Sequence, residues 1–284
     1  MSSSDEVAIR RARSVADYLA CQEAQRRAWG IKEDSYVVPL ATLIGAQLHG
    51  GLVLGAFTPG GEALGLSFAF LGKVDGRLCL YSQLTGVVPG HQGKGLGFRL
   101  KQAQRDFARE EGLPCLAWSF DPLQAGNARF NLGHLGATSS RYIPDMYGRR
   151  SDALNANART DRLIVEWATD AGPQTEPPDL AGLPRLIEVH EPGEGVIAPV
   201  GLLPIGLAGP TVLLEIPADV GSIRRADPGL ADLWGENVRE AFAAGFAAGH
   251  RAEGFVRAEG PGPTRCFYVL RRAGSPLTPG DRTG

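Results

Sequence analysis

The chain has 284 residues, enough for one large domain or two modest ones. Its apolar and charged fractions, 43% and 21%, belong to a globular protein and exclude a disordered or fibrous one. A formal net charge of −2 gives no electrostatic support to a nucleic-acid or acidic-membrane role.

In chain order, Met1–Glu6 is polar and acidic, without signal-peptide character, and a cytoplasmic protein is the expectation. Val7 to Arg10 reads as a short strand. Ser14 stands as an N-cap for a helix in which Val15, Tyr18 and Leu19 recur at helical spacing and which Gly30 ends. Pro39 opens a second helix that Gly50-Gly51 stops. Leu52–Phe57, Ala63–Val74 and Arg77–Val87 then read as an antiparallel meander, turning at Thr58–Gly61 and Asp75-Gly76. A helix follows from Leu96 to Glu111, with Leu96, Leu100, Ala103 and Phe107 on one face. Cys115 to Phe120 is almost free of polar residues, as a strand covered on both faces should be. Gln124–Gly133 is helical, and Ala137–Tyr142 and Leu163–Trp167 are two more strands.

Beyond Ala168 the composition shifts. Residues 171–184, rich in Pro, Gly and acid, read as a linker. Residues 185–284 then form a smaller α/β unit: strands near Arg185–Val189, Val212–Ile216, Gly254–Arg257 and Arg265–Leu270, and an amphipathic helix over 230–248. The charge-free window Gly195–Leu214 is long enough to span a membrane. Its Pro199, Pro204 and Pro210 would break a helix, so it reads as loop and strand. The four cysteines are far apart, and Cys79 and Cys115 read as buried thiols. No His, Cys or acidic spacing suggests a metal.

The chemistry concentrates between Val87 and Gly97. A glycine-rich turn from strand to helix aims backbone N–H groups outward at a helix N-terminus, an anion cradle suited to phosphate. Lys94 is followed by Gly95, so the P-loop pattern fails. Glycines at 93, 95 and 97 fail the dinucleotide pattern as well. The spacing that fits is Gln-x-x-Gly-x-Gly, as Gln92, Gly95 and Gly97, preceded by Val-x-Pro at a strand end. This resembles motif A of the GNAT superfamily of acyl-CoA N-acyltransferases, and the element order over residues 6–168 resembles the order of that fold. The two-part layout resembles a bacterial subgroup of the superfamily.

The resemblance implies a mixed α/β (α+β) fold with a splayed central sheet flanked by helices, as a first domain over 1–170. Acetyl-CoA or another acyl-CoA, succinyl-CoA included, would lie along the first splayed strand at Thr85, Val87 and Val88, where Gly86 suits a bulge. Its pyrophosphate would sit at Gln92, Gly93, Lys94, Gly95, Leu96 and Gly97, and Asn127 would hold the pantetheine arm. Backbone N–H groups near Thr85–Val87 would stabilise the tetrahedral oxyanion as a neutral amine attacks the thioester. The family's usual acid, a tyrosine in the helix after the splayed strand, is replaced by Leu132; Tyr142 or Tyr147 is the substitute. The usual strand carboxylate is also missing from Tyr81–Thr85. Asp121 is a base, an anchor for the acceptor's ammonium, or a helix cap. The acceptor is a small-molecule amine, an amino acid among the options, and the C-terminal unit covers the acceptor side or makes a homodimer contact. A non-catalytic acyl-CoA sensor and a protein lysine acetyltransferase remain as alternatives.

Overall fold

The computed structural model describes residues 7–148, 159–172, 179–193, 195–260 and 262–272. The middle of the expected linker, 173–178, and the last twelve residues of the expected C-terminal domain, 273–284, lie outside them. The fold is mixed α/β, and the chain divides into two compact units. One comprises Met1–Trp118 and Ala168–Asp170, the other Ser119–Trp167 and Ala171–Gly284.

In the first unit, β1 (Ala8–Arg11), β2 (Leu52–Phe57), β3 (Ala63–Val74) and β4 (Arg77–Val87) pair antiparallel in that order. The β3–β4 turn has Asp75 and Gly76 both at positive φ, 49° and 78°, the mirror-image turn that the Asp-Gly pair predicts. Helix α1 (Val15–Trp29) starts on Ser14, whose side chain accepts from the Asp17 N–H, and ends on left-handed Gly30. Helix α2 (Leu40–Leu48) follows Pro39. Tyr18, Cys21 and Ala24 of α1 and Leu43 of α2 close one core with Leu66 and Phe68 of β3. Helix α3 (Leu96–Glu110) packs against β3 and β4, with Leu96, Leu100 and Phe107 buried.

Two irregularities of β4 shape the site. The β3–β4 register shifts between Phe68↔Leu84 and Ala69↔Ser82, which leaves Gln83 as an extra residue. The bulge thus falls at Gln83, not at Gly86 as its sequence suggested. Gly86 is needed for another reason: a Cβ there would stand 2.5 Å from the Trp29 ring and 3.1 Å from the Ala28 methyl. The second irregularity is the parallel ladder to β5 (Cys115–Phe120). It joins Leu80 to Leu116 and Tyr81 to Ala117, while β4 runs on to Val87.

In the second unit, α4 (Ala125–Ala128) runs into a π-helical turn, Arg129–His134. The sheet order is β7 (Arg162–Ala168), β6 (Thr138–Ile143), β11 (His250–Ala258), β12 (Arg265–Arg272) and β10 (Thr211–Ile216). The expected charge-free window holds a strand: β8 (Ile187–Gly193) and β9 (Val196–Leu202) make a separate antiparallel pair. Helix α5 (Val220–Ala226) precedes α6 (Pro228–Ala247), which buries Trp234, Val238 and Phe242. No helix among the described residues is long and apolar enough to cross a membrane. Cys21, Cys79, Cys115 and Cys266 are all buried.

Candidate functional site

Val88 is buried, and its N–H donates to Leu64 O at 3.0 Å, fixing where β4 ends. By strand alternation, the N–H groups of Thr85 and Val87 point to the opposite edge, the one on which the β5 ladder has already stopped. The chain then turns through Gly90, Gly93 and Gly95, all left-handed with φ of 84°, 73° and 78°. Only glycine adopts this conformation freely, so the sequence Gly-His-Gln-Gly-Lys-Gly dictates the path. Gln92 latches the loop: its Nε2 donates to Val87 O at 3.1 Å.

Gly95 is the N-cap of α3, and no side chain caps that end or places an acid in its first turn. A helix start has N–H groups with no acceptor inside the helix, and its macrodipole favours an anion there. Nothing lies within 4 Å of where a Cβ of Gly93 or Gly95 would stand. Lys94 is exposed between them, and Leu96 is buried and anchors the helix. Bare backbone, open space and a nearby cation fit a phosphate group.

Behind β4 the structure holds polar groups that the sequence did not mark. The bulge at Gln83 puts Ser82 and Thr85 in contact, Oγ to Oγ1 3.4 Å. Thr85 Oγ1 lies 2.6 Å from Ser67 Oγ. Ser82 Oγ donates to Gln104 Oε1 at 3.0 Å and accepts from Lys101 Nζ at 2.9 Å. The same amine lies 3.9 Å from the ring centroid of Trp118. Lys101 and Gln104 are 4% and 0% exposed. The Gln104 Nε2 has no hydrogen-bond partner among the described residues. Burial holds the Lys101 ammonium well below its ordinary pKa.

The remaining expected residues lie in the second unit. Asp121 accepts from the Leu123 N–H at 2.9 Å through Oδ1, the local bond of a turn. Its Oδ2 pairs with Arg224 at 2.9 Å. Asn127 is exposed on α4. Leu132 is fully buried. Tyr142 donates its hydroxyl proton to Asp161 Oδ2 at 2.6 Å. Arg239 grips Asp161 with two N–H groups and also pairs with Asp145 at 2.9 Å. Burial first, and the Asp161 hydrogen bond second, hold the Tyr142 hydroxyl far above the usual phenol range, so it keeps its proton. Burial pushes the Asp161 carboxyl up, but the bonds from Arg239, Tyr142 and the Asp145 N–H outweigh it and hold the group below the ordinary range. Tyr147 is exposed, 3.4 Å from Ser119 Oγ, with Arg162 over its ring at 5.2 Å. Asp161 and Arg239 carry no local motif; they stand 78 positions apart and meet only through the fold. Among the described residues no group of three or more His, Cys, Asp or Glu could hold a metal ion.

No family model and no curated protein matches the chain. Solved structures similar to it include a candidate acetyltransferase of the GNAT family from Desulfovibrio desulfuricans (19% identity, covering 57% of this chain and 99% of that one, TM-score 0.45). Another is yncA from Salmonella typhimurium, a candidate acetyltransferase solved with its cofactor acetyl-CoA (26% identity, 62% and 99%, TM-score 0.45). A third is a candidate acetyltransferase from Acinetobacter baylyi (15% identity, 60% and 96%, TM-score 0.48).

Proposed function

We propose that the chain is an acyl-CoA-dependent N-acyltransferase that passes a short acyl group to a small-molecule amine. The observation that carries this reading is the loop Val88–Gly97. It joins a strand whose outer edge has lost its neighbour to an uncapped helix N-terminus, through glycines with open space before them. A phosphate at the helix start and an extended arm along β4 are the two things that such a junction recognises together.

In this reading the acyl-CoA pyrophosphate sits on Gln92–Gly97 with Lys94 beside it, and the arm runs back along Val88, Val87 and Thr85. The amine nitrogen attacks the thioester carbonyl. The outward N–H groups at Thr85 and Val87 stabilise the oxyanion, and the thiolate leaves. Its conjugate acid has a pKa of about 8.5, so departure needs little help from an acid. Asn127, Tyr147, Tyr142 and Asp121 remain candidates for the arm, the acid and the acceptor. Tyr142 and Asp121 are already engaged, by Asp161 and Arg224, which favours structural duties for both. That engagement also keeps a second reading open, a sensor that binds acyl-CoA without turning it over.

The cradle is tested by calorimetry with CoA. Gly95→Val strains a left-handed residue and fills the space before the helix start. The variant should stay folded by circular dichroism and lose CoA binding; full affinity would mean that the phosphate lies elsewhere. Thiol release from acetyl-CoA and succinyl-CoA over a panel of amino acids and other small amines separates enzyme from sensor.

A further inference from the structure

The acyl-transfer reading leaves one proton without a destination, because β4 carries no carboxylate. A group able to take it lies directly behind that strand. Ser82 and Trp118 are the first residues past the last β4–β5 pair, Tyr81↔Ala117, and the Lys101 amine contacts both. From that amine the hydroxyls of Ser82 and Thr85 lead back, at 2.9 and 3.4 Å, to a half-buried position on β4. Resting on the acyltransferase reading, we propose that Lys101 takes up the proton released by the attacking amine, delivered through Thr85 and Ser82.

The chemistry of the site suits this role. A lysine accepts a proton only when it is neutral, and among the described residues no counter-charge acts to keep this one ionised. The amine contacts the Ser82 hydroxyl of β4 and the Trp118 ring of β5, neither charged, and burial holds its pKa down. Ser82 is turned toward Gln104 Oε1 from α3. A hydroxyl both donates and accepts, so the same oxygen can present its proton to a neutral Nζ instead. Once the ammonium forms, the Trp118 face at 3.9 Å stabilises it where water is excluded.

The step balances. The C–N bond forms as an amine N–H proton passes to Thr85 Oγ1. The Thr85 proton moves to Ser82 Oγ, and the Ser82 proton moves to Lys101 Nζ. The C–S bond then breaks, the thiolate carries off the electron pair and takes a proton from solvent, and Lys101 returns its own proton to solvent before the next turnover. Lys101 touches no reacting atom, so it acts as a positioning and proton-accepting group behind the strand.

The test is the pH dependence of thiol release, measured with several amines on wild type, Lys101→Met, Ser82→Ala, Thr85→Ser and Thr85→Val. Circular dichroism and CoA calorimetry check each fold and cradle. Wild type should show an acidic limb in kcat/KM whose midpoint is the same for every amine. Lys101→Met and Ser82→Ala should lower kcat/KM at neutral pH about a hundredfold and lose that limb, leaving profiles that follow each amine's own pKa. Thr85→Ser should retain the limb and Thr85→Val should lose it. A wild-type profile that follows the amine, or a Lys101→Met variant that keeps the limb, overturns this inference alone. A chain that binds no CoA, or binds it and releases no thiol with any amine, overturns the acyltransferase reading and this inference with it.

Discussion

Burying the Lys101 amine without a carboxylate leaves a signature in stability that needs no substrate. The folded-state pKa is lowered, so the unfolded chain binds one more proton than the folded chain between that value and the ordinary lysine pKa of about 10.4. Stability therefore rises with pH across that window, by about 1.4 kcal/mol per pH unit from this group, and the gain is lost as pH falls. Replacing the amine by the apolar Met side chain removes the desolvation cost. Lys101→Met should thus be more stable than wild type at neutral pH, and the difference should shrink as pH rises toward 10. Chemical denaturation of both proteins between pH 6 and 9 measures this; a constant difference would mean that Lys101 is charged in the fold. None of this was legible in the sequence. Leu96, Leu100 and Phe107 mark the buried face of α3 by spacing, and Lys101 and Gln104 stand outside that set. Their burial follows from β4 bringing a serine, not an aliphatic residue, against them, a pairing that helical periodicity does not contain. The loop glycines were legible because positive φ is a local demand that the residue type itself records.

At the scale of elements, the bulge at Gln83 sets which side chains of β4 face α3. A strand alternates its faces, so without the extra residue Ser82 and Thr85 would lie on opposite sides. Deleting Gln83 should force part of β4 to turn over, sending either Ser82 or Thr85 toward the core built on α1. The expected result is a loss of several kcal/mol in denaturant unfolding, comparable to burying unsatisfied polar groups, together with weakened CoA binding. Unchanged stability would show that the ladder tolerates either register. Strands β2 to β5 begin and end where the sequence places them because turn residues bound each one. The strand read near Arg185–Val189 overlaps β8, which runs on through Pro192 to Gly193, while β9 carries Pro199, which read as a helix breaker. A two-stranded ribbon has an open edge on each strand and accommodates proline there. Helix α5 has seven residues and an Asp219 cap, too short for a hydrophobic period to emerge.

At the scale of the whole molecule, the division at Trp118 and Ser119 falls inside the span that element order assigns to the first domain. Residues 119–167 share their core with the C-terminal strands and helices. Tyr268 donates to Pro122 O at 2.7 Å, Phe242 packs on Tyr142 at 5.5 Å, and Arg239 neutralises the buried Asp161. These partners come from far along the chain, and a local composition shift such as that near 171–184 does not record them. A fragment ending at residue 184 should therefore lose ordered structure over 119–167. Removing Arg239 alone leaves a buried carboxylate uncompensated, a loss of about 3–5 kcal/mol in comparable cases. Backbone NMR of the fragment checks this: dispersed resonances from Tyr142 and Asp161 at their full-length positions would contradict it.

The four buried thiols give the molecule a built-in clock. Burial pushes Cys21 up to about 12 and raises Cys266, so neither presents a reactive thiolate while its surroundings stay closed. Three of the four lie in the first unit and Cys266 lies in the second. Alkylation under native conditions thus counts openings of each half separately, cysteine by cysteine, in one mass spectrum. The same silence means that a colorimetric reagent mixed with intact protein and acyl-CoA registers liberated CoA against almost no background from the protein itself.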